Sequence, residues 1–156
     1  MTQETSKSKD PKWNELMAVA KQAIADQCDI TTDEVRVDED GDIAFDQRGS
    51  AVVFLGAETD PPAYVFSSMV LSKVEEKPLV HEVLNEINTN IKLGQFYFHD
   101  GDIYFNYHLL VDSPTPELLS TALRIAVDLA DHYDDGLKAR LGGERYIEEA
   151  EDEIEV

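Results

Sequence analysis

Gln95-Phe96-Tyr97-Phe98-His99-Asp100-Gly101-Asp102-Ile103-Tyr104-Phe105-Asn106 is the stretch whose reading decides the fold. Two runs rich in aromatic and β-branched residues flank an Asp-Gly pair, the pattern of a hairpin closed by a two-residue turn. Such a turn sets Phe98 opposite Ile103, Tyr97 opposite Tyr104 and Phe96 opposite Phe105. Side chains alternate along a strand, so one face carries Phe96, Phe98, Ile103, Phe105, Tyr107 and Leu109. The other carries Tyr97, Tyr104, Asn106 and His108. A one-residue slip would send every apolar side chain to the wrong side, so the turn and the pattern together specify the register.

On either side of the hairpin the period changes from two to 3.6. Lys77-Pro78 opens a helix with Leu79, Val80, Val83, Leu84, Ile87 and Ile91 on one stripe, Glu75 and Glu76 before its positive end, and Gly94 as its stop. Downstream, Ser113-Pro114-Thr115-Pro116 breaks the strand. It starts the longest helix, roughly residues 116–141, with Leu119, Ala122, Leu123, Ala126, Leu129, Ala130, Tyr133 and Leu137 facing inward, and Gly142-Gly143 ends it.

The N-terminal half repeats these signals. Asp10 reads as an N-cap and Pro11 as the first helical residue, and Trp13, Leu16, Met17, Ala20 and Ile24 follow at helical spacing as far as Cys28. Val35, Val37, Ile43 and Phe45 then alternate with polar residues around Glu39-Asp40-Gly41. A two-residue Asp40-Gly41 turn would pair Val37 with Ala44 and Arg36 with Phe45. A three-residue loop pairs Val37 with Ile43 and Val35 with Phe45, which puts all four on one face, so the three-residue loop is preferred. After a turn at Gln47-Arg48-Gly49, residues 51–55 read as a central strand bounded by glycines, Asp60-Pro61-Pro62 as a rigid loop and residues 64–70 as the next strand. The order is α-β-β-β-β-α-β-β-α, an α+β fold with an antiparallel sheet, because hairpins and not helical crossovers join the strands. The expected organisation is a disordered stretch over residues 1–10, a single domain over 11–143 and a solvated acidic tail over 144–156.

The chain has 156 residues, with 33 Asp+Glu against 13 Lys+Arg and a formal net charge of -20. That excludes the phosphate neutralisation on which nucleic-acid affinity rests, and attraction to anionic membrane surfaces as well. It suits solubility and basic partners, and an organism-wide acidic habit is the other source of the same number. Cys28 is the only cysteine, so there is no intrachain disulfide; it is expected to be semi-buried and inert at a helix end. No apolar run approaches the ~20 residues that span a bilayer, and residues 1–9 lack the apolar core of a signal peptide. A cytoplasmic protein is expected.

The motifs of chemistry are missing. There is no phosphate-binding glycine loop, HExxH, CxxC or GxSxG pattern. Asp38, Asp40 and Asp42 alternate like calcium ligands, but Gly41 comes one place early and apolar residues follow where ligands belong, so the cluster reads as a hairpin tip. Asp100-Gly101-Asp102 reads the same way. His99 and His108 stand about 20 Å apart by strand rise and cannot share a zinc, and neither His81 nor His132 has a partner at ligand spacing. Nothing singles out a catalytic carboxylate pair. The expectation is therefore a non-enzymatic protein without cofactor or metal, with Tyr97, Tyr104, Asn106 and His108 as a partner-binding face. A structural homodimer using that face is one alternative, and a metal-dependent enzyme using carboxylates is another.

Leu84-Asn85-Glu86-Ile87-Asn88, Leu93-Gly94-Gln95-Phe96, the Asp100-Gly101 hairpin and Tyr104-Phe105 into Leu109-Leu110 together resemble the YbjN family. So does the stretch from Pro116-Glu117-Leu118-Leu119 through Ala130-Asp131 to Leu141-Gly142-Gly143, and Asp60-Pro61-Pro62 resembles actinobacterial members. The resemblance implies a type III secretion chaperone-like fold that holds an extended protein or peptide client, often as a dimer, with some relatives described as sensory transduction regulators. Asn85 and Asn88 match the family motif and are expected to anchor their helix to the sheet by hydrogen bonds to backbone, and Gly101 to make the turn.

Overall fold

The computed structural model describes residues 9–46 and 51–145. Its elements are α1 (Pro11–Cys28), a 3-10 turn (Thr32–Glu34), β1 (Ile43–Phe45), β2 (Val53–Thr59), β3 (Pro62–Leu71), α2 (Pro78–Asn90), β4 (Gln95–His99), β5 (Asp102–Leu110) and α3 (Pro116–Leu141). The strands form one antiparallel sheet in the order β1-β2-β3-β5-β4. The sheet class and the order of the three helices are those read from the sequence.

The described chain divides into two compact units. One gathers 9–45, 54–66 and 108–125; the other gathers 46, 51–53, 67–107 and 126–145. In the first, Asp10 caps α1 by accepting from Lys12 N–H at 2.9 Å and Trp13 N–H at 3.5 Å. Those bonds, with one from the Thr59 side chain, hold the Asp10 carboxyl below the usual range, the Lys12 bond counting most. The helix buries Leu16, Met17, Ala20 and Ile24. The Tyr64 hydroxyl, on a fully buried ring of β3, donates to Leu16 O at 2.7 Å and ties helix to sheet. In the second unit, α2 buries Val80, Val83, Leu84 and Ile87. Tyr133 of α3 sets its ring edge-on to Phe96 at 5.4 Å, and Phe96 meets Phe105 at 5.1 Å. These contacts form the core on the Phe96/Phe105 side of the hairpin.

Several expectations are corrected. The segment around Val35 and Val37 is not a strand: a 3-10 turn takes up the chain, and Val35 N–H donates to Thr32 O at 3.2 Å. The three-residue loop is nevertheless present, with Asp38 N–H donating to Asp42 O at 2.9 Å and Gly41 at φ 85°. The sheet therefore has five strands where the sequence suggests six. β2 begins two residues late and runs through Gly56. A side chain at Gly56 would collide with the Asp42 carboxylate lying over it, so this glycine makes room within a strand and does not end one. Pro62 belongs to β3, and only Asp60 and Pro61 form the turn. α2 stops at Asn90, before Gly94, because the Thr89 hydroxyl and Asn90 amide both donate back to Glu86 O at 2.7 and 2.9 Å. Leu79, in the first turn of α2, is exposed. Cys28 is exposed because α1 ends there and Asp29, at φ 55°, turns the chain away.

Glu144 is not a solvated tail residue. Its backbone bridges Ser72 with bonds of 2.8 and 2.9 Å, and its carboxylate meets Lys73 at 3.0 Å. Arg145 pairs with Asp135. The remainder of the acidic tail and most of the expected disordered N-terminus lie outside the described residues.

Candidate binding surfaces

The hairpin forms in the expected register, with Phe96 opposite Phe105, Tyr97 opposite Tyr104 and Phe98 opposite Ile103. Asp100 at φ 48° and Gly101 at φ 85° make the primed turn that an Asp-Gly pair favours. Phe96, Ile103 and Phe105 are buried, whereas Phe98, Tyr107 and Leu109 are half-buried. On the other face, Tyr97 and Tyr104 stack at 5.3 Å with their planes 22° apart. Tyr97 is exposed, and Tyr104 donates to Asp102 Oδ2 at 3.1 Å. Partial burial, then that bond and the charge on Asp102, raise the Tyr104 pKa above the ordinary phenol value. Asn106 stands opposite Gln95, half-buried, and its Oδ1 is buried with no donor among the described residues. His108 is exposed further along the strand. Thus all four residues expected for a partner face share one side of the hairpin.

Asn88 is an anchor. Its amide donates to Phe96 O at 2.9 Å and accepts from Phe96 N–H at 2.8 Å, so both backbone groups of a residue on an end strand are bonded to one side chain of α2. Asn85 is exposed.

A second surface went unread in the sequence. α1 presents two i, i+4 rows, Trp13-Met17-Lys21 and Asn14-Ala18-Gln22, to the segment that carries Thr32, Asp33, Val35 and Val37. Between them lies an open groove of about 720 Å³. The turn before that segment is built locally: Glu34 accepts from Thr31 N–H at 2.8 Å, and Glu34 N–H donates to Thr31 O at 3.1 Å. That closed turn packs on α1 and delivers Val35 in extended conformation, φ -77° and ψ 121°. Trp13 lines the groove and is only 9% exposed, and its Nε1–H is buried with no acceptor among the described residues. In the sequence, Trp13 is one more member of an apolar stripe. The available signal was small Ala18 five residues after a tryptophan, and a helical period does not assign such a pair to a gap.

The acidic tip beside the groove is self-occupied: Asp38 Oδ1 accepts from Asp40 and Asp42 N–H, each at 2.9 Å. Among the described residues no group of three or more His, Cys, Asp or Glu is arranged to hold a metal ion, and no helix is long and apolar enough to cross a membrane. The histidines lie apart. His81 is edge-on to Phe98 at 6.0 Å, His99 is 3.3 Å from Asp100, and His132 packs on Tyr133.

A five-stranded antiparallel sheet with three helices, carrying an open groove of mixed polar and apolar lining and an aromatic hairpin face, defines a small α+β fold of the secretion-chaperone class. The same fold occurs in the crystal structure of the ExsC-ExsE complex, with a TM-score of 0.59 and 15% identity over 74% of this chain and 91% of that one. The chain belongs to the family described as T3SS (YopN, CesT) and YbjN peptide-binding chaperone 1, whose model matches residues 15–149. Comparison with curated proteins finds no match.

Proposed function

We propose that this protein is a non-enzymatic, cytoplasmic chaperone-like adaptor that holds an extended segment of a protein client in the groove between α1 and residues 32–37, with residues 11–143 acting as one domain. The observation that carries the reading is the peptide-binding family match over residues 15–149. The open groove is the concavity that suits such a segment: exposed Ala18 and half-buried Val37 offer apolar contact beside the polar side chains of Asn14, Lys21 and Gln22. Family membership supports the peptide-binding role. Trp13 is the chain's single tryptophan, so its emission reports directly on the groove. Unstructured peptides are expected to shift that emission saturably. A panel of them that leaves it unchanged would refute the reading.

The hairpin face supports a second contact. A stacked tyrosine pair, with Tyr97 exposed and Tyr104 half-buried, suits a flat partner such as a second copy of the chain. Sedimentation at several concentrations, with and without Tyr97→Ala/Tyr104→Ala, tests it. A monomer at every concentration excludes the homodimer.

A further inference from the structure

We infer that Asn88 is an edge plug: its side chain occupies the hydrogen-bonding edge of β4 and bars a second copy of the chain from adding a strand there. The inference is independent of the groove. The sheet ends in β1 on one side and β4 on the other. β1 offers three residues, too short an edge to template much pairing. β4 offers five, Gln95-Phe96-Tyr97-Phe98-His99. Three aromatic residues of high β propensity stand in a row, with no Asp, Glu, Lys, Arg, Pro or Gly within the strand, although the chain's net charge is -20. Edge strands are commonly guarded by a charge, a proline or a bulge. β4 has none of these, and its register runs unbroken from Gln95 opposite Asn106 to His99 opposite Asp102.

Strand parity decides which backbone groups face outward. In an antiparallel pair, alternate residues turn N–H and C=O toward the partner strand, and those between turn them away. Asn88 bonds both groups of Phe96, so Phe96 faces the free edge, and Phe98, two residues on, shares its orientation. An incoming strand would pair with those two residues. Asn88 takes the first of them, its amide accepting from Phe96 N–H at 2.8 Å and donating to Phe96 O at 2.9 Å, the same exchange a residue of an added strand would make. Asn88 is exposed, so the plug stands where such a strand would arrive. α2 packs on β4, with His81 edge-on to Phe98 at 6.0 Å, and this holds the plug against the edge.

The test compares full-length wild type with Asn88→Ala, Asn88→Lys and Ile24→Ala by sedimentation over a range of concentration and salt, with hydrogen exchange at the Phe98 amide. Asn88→Ala opens the edge and is expected to form species of at least twice the wild-type mass. Their fraction rises with concentration, and with salt, which screens the repulsion between two strongly acidic chains. In those species the Phe98 amide, which faces the free edge, exchanges more slowly than in dilute protein. Asn88→Lys loses the same two bonds but sets a charge on the edge, so it sediments as wild type does. Ile24→Ala, at a buried position of α1, controls for lost stability alone and also sediments as wild type does. An Asn88→Ala protein that keeps the wild-type mass at every concentration overturns the plug. So does equal association of Asn88→Lys or Ile24→Ala, and so does association that leaves exchange at Phe98 unchanged.

Discussion

Asn88→Ala is expected to destabilise the protein by about 2 kcal/mol. The side chain makes two hydrogen bonds, at 2.9 and 2.8 Å, to the carbonyl and N–H of Phe96. Each bond contributes about 0.5–1.5 kcal/mol, and a backbone group left without a partner costs more when water cannot reach it. Phe96 is 2% exposed, but β4 lies at an end of the sheet and Asn88 itself is exposed. Water therefore recovers part of the loss, which keeps the value near the sum of the two bonds. For a chain of this length the melting temperature falls by roughly 4–8 °C. Urea unfolding followed by circular dichroism measures the change at constant m value. Asn88→Asp keeps the acceptor for Phe96 N–H but turns a carboxylate toward Phe96 O, so its loss is of similar size. Asn85→Ala, at an exposed position of the same helix, stays within about 0.5 kcal/mol of wild type. An Asn88→Ala loss no larger than that of Asn85→Ala would refute the anchor.

Gly94→Ala is expected to cost about 3 kcal/mol in the same assay. The residue sits at φ 76°, and a Cβ there would stand 2.6 Å from the Phe105 ring and 2.8 Å from Asn106 O, adding overpacking to left-handed strain. A double-mutant cycle on Tyr97→Ala and Tyr104→Ala should give a coupling of about 0.5–1.5 kcal/mol from the stacked pair, and additive losses would contradict the stack. Tyr64→Phe should lose about 1 kcal/mol at neutral pH with its bond to Leu16 O. Burial, then Glu15, push the Tyr64 pKa up from its ordinary 10.0. The folded state therefore keeps the proton that the unfolded chain gives up, and wild-type stability falls as pH rises above about 10. The phenylalanine variant should lose less over that range, and parallel alkaline slopes would contradict the assignment.

Features set by neighbours in the chain were legible in the sequence. The Asp10 cap acts across two or three residues, the Asp100-Gly101 turn sets its own register, and α3 begins and ends where Pro116 and Gly142 imply. The Tyr97/Tyr104 face follows from that register alone, because strand parity is a local property. The resemblance carried by Leu84-Asn85-Glu86-Ile87-Asn88 reached the family as well. What the tertiary structure decided depends on groups far apart in sequence. β5 pairs between β3 and β4, Ser72 meets Glu144 across 72 positions, and Asp42 lies over Gly56. The Val35–Val37 alternation has strand period, yet periodicity reports which side chains face inward and not whether a backbone finds a ladder. Trp13 shows the same limit. Its place on the apolar stripe of α1 was readable, but the groove it lines lies between two segments, and only the packed chain defines that space.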